Sequence, residues 1–339
     1  MQTITKPKGL AKIWREVKRP FRRRQRITTI VPNKDIVAEE SPRPIETVQY
    51  RSYFDLSQDI RNTLHRIPSD IDLVVGIPKS GMIPAMMIGL SLNIPVSDLD
   101  GFLEGRLLSH GFSRCHEGQK KSLSECKKIL VIDDSVCSGR SIQDARERIA
   151  GSSFLSKDLQ ILYMVAYCAS FNRDMVDLYC RELPFPRIFE WNWMHHPWFL
   201  KQSCVDIDGV LCPDPTESQN DDGAQYVRFI EETPPLYLPK HPIHTLVTNR
   251  LEKYRDSTEN WLNKHGVIYD WLIMLDLPSK QARIASGANY GENKAKVFSQ
   301  SDCILFIESC HRQAEGIVWL SGKPVLSVEK QVILNPENV

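Results

Sequence analysis

The 339-residue sequence contains no apolar run near the ~20 residues that a membrane-crossing helix needs. Its first residues lack the apolar core of a secretory signal. Nine cysteines are an odd number, and none forms a CxxC pair or a zinc-type spacing, which excludes a disulfide scaffold or zinc module. They read as free thiols in a reducing compartment, so a cytoplasmic protein is expected. There is no internal repeat and no low-complexity tract, so solenoid and fibrous classes are excluded. Net charge is also scarce, at +1. What remains is ordinary globular material, 42% hydrophobic and 25% charged, and long enough for two cores.

The small net charge hides an asymmetry. Residues 1–26 hold ten of the 43 Lys and Arg and one of the 42 acids, Glu16, so this arm is at +9 and the remainder at −8. Leu10, Ile13, Trp14, Val17 and Phe21 follow helical spacing inside it, and Pro20 ends or bends that helix. A short basic amphipathic helix with an interfacial Trp suits an anionic membrane surface. A solvated arm, nucleic-acid binding and a transit peptide fit the same composition. Residues 27–45, with Pro32, Pro42 and Pro44, read as a linker.

From Ile45 the pattern is α/β. Short apolar strands at Ile71–Gly76, Ile129–Ile132 and Leu159–Ala166 alternate with helices at Leu56–Leu64, after Gly81 and after Gly139, which predicts a parallel sheet covered on both faces. Residues 102–127 form a long polar stretch, of the kind that is functional or mobile in compact domains. An aromatic junction follows at 186–199, with Trp191, Trp193, His195, His196 and Trp198; interdomain packing is the ordinary role for such residues. The pattern then restarts with strands at Ser203–Ile207, Ile243–Val247, Trp271–Met274, Cys303–Ile307 and Pro324–Val328. The expected organisation is an arm (1–26), a linker (27–45), a first α/β domain (46–185), the junction (186–199) and a second α/β domain (200–339), each domain doubly wound.

Lys128–Ser141 reads KILVIDDSVCSGRS. A strand delivers two acids at its carboxyl end, and a small-residue loop then enters a helix. The amides of Ser135–Ser141, the hydroxyls of Ser138 and Ser141 and the helix N-terminus make an anion nest. Asp133 and Asp134 oppose phosphate but accept hydrogen bonds from sugar hydroxyls, so a sugar phosphate meets both demands. This segment resembles the type I phosphoribosyltransferases, with Asp133 and Asp134 matching the ribose-binding acids and Ser138, Gly139 and Ser141 the 5-phosphate loop; Ser138 stands where Thr is commoner. A second match, LVVGIPKSGMIPA at 73–85, looks like the family's diphosphate loop. The resemblance implies that phosphoribosyl diphosphate binds at Lys79, Ser80, Gly81, Asp133, Asp134, Ser135, Val136, Cys137, Ser138, Gly139, Arg140 and Ser141. It also implies Mg2+, loss of diphosphate through an oxocarbenium-like transition state, and inversion of C1 from α to β. By position, residues 102–127 match the family's catalytic loop, with Arg106, Arg114, Lys120 and Lys121 able to cap the diphosphate. No residue presents itself as general base.

Cys204–Pro213 reads CVDIDGVLCP. Period-two spacing puts Asp206 and Asp208 on one side of an extended strand end, and Gly209 permits a sharp turn. A carboxylate nucleophile forms an aspartyl-phosphate when a cation lets the two anions meet. This segment resembles the haloacid dehalogenase (HAD) phosphatases. The resemblance implies a HAD-like Rossmannoid fold, with Asp206 as nucleophile and Mg2+ ligand. Asp208 becomes general acid/base and lends its carbonyl to the metal, and Thr248 in LVTNR binds the phosphoryl group. Lys294 is preferred over Lys296 as the neutralising lysine, because it shares a helix face with Val297 and Phe298. Glu308 takes the place where paired aspartates are usual, so the implied metal set is Asp206, Asp208 and Glu308. Neither insertion point has room for a large cap.

The order of the two segments resembles the bifunctional ribofuranosyltransferases of bacterial O-antigen and related glycan assembly. That implies transfer of 5-phosphoribosyl to a lipid-linked oligosaccharide, followed by removal of the 5-phosphate. It gives residues 8–26 a purpose at the inner face of the cytoplasmic membrane, and no nucleic-acid partner is expected. The alternative is a nucleobase phosphoribosyltransferase joined to a nucleotidase. A third reading, a non-catalytic sensor of phosphoribosyl diphosphate, leaves the second set of residues without a purpose.

Overall fold

A computed structural model of the chain describes residues 47–108, 123–153, 155–286 and 291–338. The basic arm, the linker and most of 102–127, including Arg114, Lys120 and Lys121, therefore lie outside the described residues. In chain order the elements of the first lobe are β1 (Gln49–Arg51), α1 (Tyr53–Arg61), β2 (Leu73–Gly76), α2 (Met82–Leu92), β3 (Val96–Asp98), α3 (Leu99–Leu103), β4 (Lys128–Ser135), α4 (Arg140–Ala150), β5 (Gln160–Cys168), β6 (Leu178–Glu182) and β7 (Arg187–Phe189). The second lobe continues with α5 (Pro197–Leu200), β8 (Ser203–Val205), α6 (Ala224–Glu232), β9 (Ile243–Leu251), α7 (Arg255–Lys264), β10 (Tyr269–Leu275) and α8 (Lys280–Ala285). It ends with α9 (Glu292–Gln300), β11 (Leu305–Glu308), α10 (His311–Ser321), β12 (Val325–Ser327) and β13 (Val332–Leu334).

The protein is mixed α/β with parallel sheets. The first sheet has five strands in the order β3-β2-β4-β5-β6, every pair parallel. Alternation along its strands sorts the side chains onto two faces. Val74, Leu130, Ile132 and Met164 pack under α1 and α2 against Leu56, Ile60 and Ile88. Leu73, Val75, Val131 and Val165 pack on the other face against Phe102, Ile142, Ala145 and Ile149 from α3 and α4. Each such side chain contributes roughly 1.5–3 kcal/mol by leaving water, which is why continuous apolar strands settle between two helical layers.

The second sheet has six strands, β10-β9-β8-β11-β12-β13, parallel except for the antiparallel β12–β13 edge. One face holds Val205, Leu246, Leu305 and Trp261; the other holds Cys204, Val247, Phe306 and Val325 against Ala295, Phe298 and Ile317 of α9 and α10. Between the sheets β1 and β7 form a two-stranded parallel ribbon, pairing Tyr50 with Ile188. Val48, Tyr50, Ile188, Trp193 and Met194 share a core with Val205, Ile207 and Leu326, and the Tyr50 hydroxyl donates to Gln331 Oε1 at 2.6 Å. Residues 44–339 make one compact unit.

Candidate functional sites

Both sites sit at the carboxyl edge of a parallel sheet, where strand ends and helix starts leave room for a ligand. In the first lobe β4 carries Asp133 and Asp134 near its carboxyl end, each 6% exposed. The loop after β2 lies directly against them. A Cβ at Gly81 would come within 2.5 Å of the Ile77 carbonyl oxygen and 2.6 Å of that of Ile132, so only glycine permits this approach. Ser80 Oγ donates to Asp134 Oδ1 at 2.9 Å, and Trp191 Nε1 donates to Asp134 Oδ2 at 2.6 Å. Asp134 is thereby held from both sides. Asp133 accepts the Asp134 amide at 2.8 Å, and burial, followed by the Asp134 charge, pushes its carboxyl up to about 8.

The small-residue loop is anchored from behind. Buried Asn172 donates to the carbonyls of Val136 (2.9 Å) and Cys137 (3.1 Å). Buried Arg187 donates to the Val136 carbonyl at 2.6 Å and the Leu183 carbonyl at 2.8 Å. With those carbonyls drawn inward, Cys137, Ser138, Arg140 and Ser141 stay exposed, and Gly139, at φ 77°, starts α4 in a left-handed turn. Lys79 is exposed and Ser80 half-buried at the same edge. Arg106, at the start of the polar stretch, pairs with Glu104 at 2.6 Å. Trp191 departs from the packing role expected of the junction: it stacks on Phe189 (4.8 Å, 1°) and reaches the acid pair.

In the second lobe β8, β9 and β11 are neighbours, and their carboxyl ends bring the second set together. Lys294 is 1% exposed, and its Nζ donates to Asp206 Oδ2 and Glu308 Oε2, each at 2.7 Å. Lys296 is exposed. Burial raises the Asp206 pKa above the carboxylate range; Glu308 and Asp208 add to this and Lys294 opposes it. Burial works against the Lys294 charge, but the two carboxylates outweigh it and hold the ammonium firmly protonated. Thr248 is fully buried, and its hydroxyl accepts the Arg250 amide at 3.1 Å.

Asp208 is engaged by a residue that the sequence reading did not single out. Arg250 is 0% exposed and grips Asp208 with two nitrogens, Nη2 to Oδ1 at 2.6 Å and Nε to both oxygens at 3.1 Å. Its other contacts are Thr258 Oγ1 at 3.4 Å and Cys212 Sγ at 3.3 Å. Arg250 stands two residues beyond Thr248, so period two places both on one face of β9. That spacing was the available signal. Asp214 was also missed; burial, then the charges of Asp208 and Glu308, raise its pKa. A Cβ at Gly209 would meet Ser309 at 2.4 Å and Asp214 Oδ2 at 2.7 Å, which fixes glycine at this turn.

Among the described residues no group of three or more His, Cys, Asp or Glu side chains is arranged to hold a metal ion. The carboxylates of Asp206, Asp208 and Glu308 do not form one cage: Lys294 bridges two of them, and Arg250 holds the third. Asp206 and Glu308 converge on the Lys294 ammonium and offer hard oxygens of the kind that Mg2+ takes. No helix among the described residues is long and apolar enough to cross a membrane.

No family model and no curated protein sequence matches this chain. Among solved structures it is similar to a xanthine-guanine-hypoxanthine phosphoribosyltransferase of Helicobacter pylori. That likeness has 14% identity and a TM-score of 0.31, and covers 43% of this chain and 93% of the other. A purine phosphoribosyltransferase of Pyrococcus horikoshii gives 16% identity and a TM-score of 0.32 over 42% and 93%. A likeness to a Pnkp1/Rnl/Hen1 complex, at 17% identity and a TM-score of 0.23, covers 76% and 94%.

Proposed function

We propose that the protein is a bifunctional enzyme. The first lobe transfers 5-phosphoribosyl from phosphoribosyl diphosphate to a glycan acceptor with inversion at C1, and the second removes the 5-phosphate to leave ribofuranose. The observation that supports the reading is the pairing of two acid-bearing sheet edges in one compact unit: the acid pair and anchored loop of β4, and the Asp206–Lys294–Glu308 contact of β8, α9 and β11. The acceptor is taken to be lipid-linked, with residues 8–26 holding the enzyme at the cytoplasmic membrane face.

In the transfer step, Asp133 and Asp134 receive the ribose hydroxyls, the Ser135–Ser141 amides and hydroxyls hold the 5-phosphate, and Lys79 with Ser80 and Gly81 meets the diphosphate. Departure of diphosphate and attack by an acceptor hydroxyl then depend on positioning and charge stabilisation. In the hydrolytic step an Asp206 oxygen attacks phosphorus and the sugar O5 leaves with a proton. Water then attacks the aspartyl-phosphate, releasing phosphate and restoring Asp206. Lys294 and Thr248 hold the phosphoryl oxygens. Asp208, gripped by Arg250, gives a proton to O5 as it leaves and takes one from the attacking water, and that grip loosens as the substrate's charge enters. Asp206 and Glu308, with the Asp208 carbonyl, are the oxygens that would hold Mg2+, whose charge when bound offsets repulsion between nucleophile and phosphoryl group.

The test mixes the protein with phosphoribosyl diphosphate, Mg2+ and a synthetic glycan acceptor, with products read by mass spectrometry. Asp206→Asn should accumulate a phosphoribosylated acceptor, and Asp133→Asn with Asp134→Asn should give none. Fully dephosphorylated product from the Asp206 variant would refute the second step. Base-dependent diphosphate release in a screen of purines, pyrimidines and nicotinate would replace the glycan acceptor with a nucleobase.

A further inference from the structure

The second lobe meets a phosphoryl group with little positive charge to spare. Asp206, Asp208 and Glu308 are three carboxylates, against the two cations Lys294 and Arg250. Each cation is already committed: Lys294 Nζ serves two of the carboxylates, and Arg250 grips the third. Asp214, whose Oδ2 faces the same turn at Gly209, adds another acid. A phosphate monoester brings a charge of about −2, so one Mg2+ offsets only the ester itself. The set stays short of a cation.

A guanidinium beside this set carries no such commitment. Arg283 belongs to α8 and is half-buried. Its Nη1 donates at 3.3 Å to the carbonyl of Asn249, the residue between Thr248 and Arg250 on β9. Its Nη2 donates to Asn220 Oδ1 at 3.5 Å, and its buried Nε has no hydrogen-bond partner. A third neutral neighbour is the buried Tyr226 hydroxyl, which also feels the charge of Asp208. Among the described residues no carboxylate forms an ion pair with Arg283. Both hydrogen bonds are long and go to neutral oxygens, so they are given up cheaply. An anion in their place would meet the guanidinium with stronger, charge-assisted bonds.

The helix that carries Arg283 is fixed. Ser279 caps it by accepting the Ala282 amide at 3.2 Å. Asp222 accepts the Lys280 amide at 2.9 Å and is itself held by Lys253 and Tyr254, each at 2.9 Å. The strand order β10-β9-β8-β11 then sets the flanks. Lys294 bridges the ends of β8 and β11, whereas Arg283 follows β10 and leans on the end of β9. We propose that Arg283 is a substrate-binding residue of the second lobe, whose guanidinium leaves Asn249 and Asn220 to take two oxygens of the phosphate ester on the flank opposite Lys294. The inference rests on the proposed reading of the second lobe and deepens it. Recognition of a phosphate dianion then belongs in part to the segment after β10.

The test is steady-state hydrolysis of methyl β-ribofuranoside 5-phosphate by the full-length protein with Mg2+, followed as released phosphate. Calorimetric titration of inorganic phosphate into the same proteins is a parallel arm, and urea unfolding confirms that each variant is folded. Arg283→Gln should raise KM and weaken phosphate binding, each by about tenfold, as expected for a lost charge-assisted contact, with kcat little changed. Arg283→Lys should recover only part of this, because an ammonium lacks the planar fork. Lys296→Gln, which removes an exposed charge from α9, should leave both values unchanged. If wild type hydrolyses the ester and Arg283→Gln keeps KM and phosphate affinity within about twofold, the inference is refuted while the second-lobe reading stands. A lowered urea midpoint would then mark Arg283 as a brace between α8 and β9. If Lys296→Gln matches the effect of Arg283→Gln, general charge and not contact is responsible, and the inference again falls. If wild type does not hydrolyse the ester, the second-lobe reading falls and the inference with it.

Discussion

Replacing Lys294 with Met should cost about 3–5 kcal/mol of folding stability at pH 7, the usual toll for stripping one partner from a buried ion pair. The structure supports the upper part of that range. Lys294, Asp206 and Glu308 are 1%, 4% and 0% exposed, and one ammonium serves both carboxylates at 2.7 Å. With the ammonium gone, two buried carboxyl groups face each other without a counter-charge. The escape is to protonate one, and neutralising an ordinary carboxyl at pH 7 costs roughly 4 kcal/mol, so the two routes agree. At pH 5 the same protonation costs only about 1–1.5 kcal/mol. The folded variant then binds a proton that the unfolded chain has largely released, so its deficit relative to wild type shrinks as pH falls. Urea unfolding followed by far-UV circular dichroism at both pH values is the assay. A deficit under about 1 kcal/mol at pH 7, or one identical at pH 5 and 7, would refute the reasoning. Adding Glu308→Gln to the Met variant should recover much of the loss.

Arg250→Met should likewise lower stability by about 3–5 kcal/mol, and Arg250→Lys should restore it only in part, because an ammonium cannot reproduce the two-nitrogen grip on Asp208. Denaturant midpoints decide the order of the three proteins. Asp133, raised to about 8, keeps its proton in the folded chain between about pH 4 and 8 while the unfolded chain loses it, so its contribution to stability declines as pH rises through that window. Asp133→Asn should therefore gain about 1–3 kcal/mol at pH 8.5 and nothing near pH 4, as read from paired unfolding curves. Trp191→Phe keeps an aromatic ring on Phe189 but removes the donor to Asp134. Titration should show phosphoribosyl diphosphate binding about tenfold weaker.

Much of this was legible in the sequence where the signal is local. The strand carrying Asp133 and Asp134, the glycine turn into α4 and the inward placement of Lys294 rather than Lys296 all follow from periodicity within a dozen residues, and all sit where expected. Strand ends moved: β4 runs on to Ser135, and β8 stops at Val205 because the Asp206 side chain takes the next amide, that of Ile207. The short strands β1, β3, β6, β7 and β13 carried no pattern distinct from loops, since three to five residues give a period of two little room. Partnerships across distance were also hidden. Trp191 lies 57 positions from Asp134, and Arg250 lies 42 from Asp208. Nothing in the local spacing says which arginine a buried aspartate will meet, because the topology of the sheet decides that.

The ribbon of β1 and β7 bears on how the chain assembles. Its partners, such as Gln49 and Arg187, are 138 positions apart, and both strands contribute to the apolar core beneath β8 and β12. The first lobe is thus a loop drawn closed at its neck, and the neck is seated in the second lobe. Contacts of such sequence separation form slowly, since the whole intervening chain must be gathered before they repay the lost entropy. The Tyr50–Gln331 hydrogen bond extends the dependence over 281 positions. Synthesis of the second lobe therefore ends with its core still waiting on a strand that left the ribosome well before it, so the two lobes are expected to mature together.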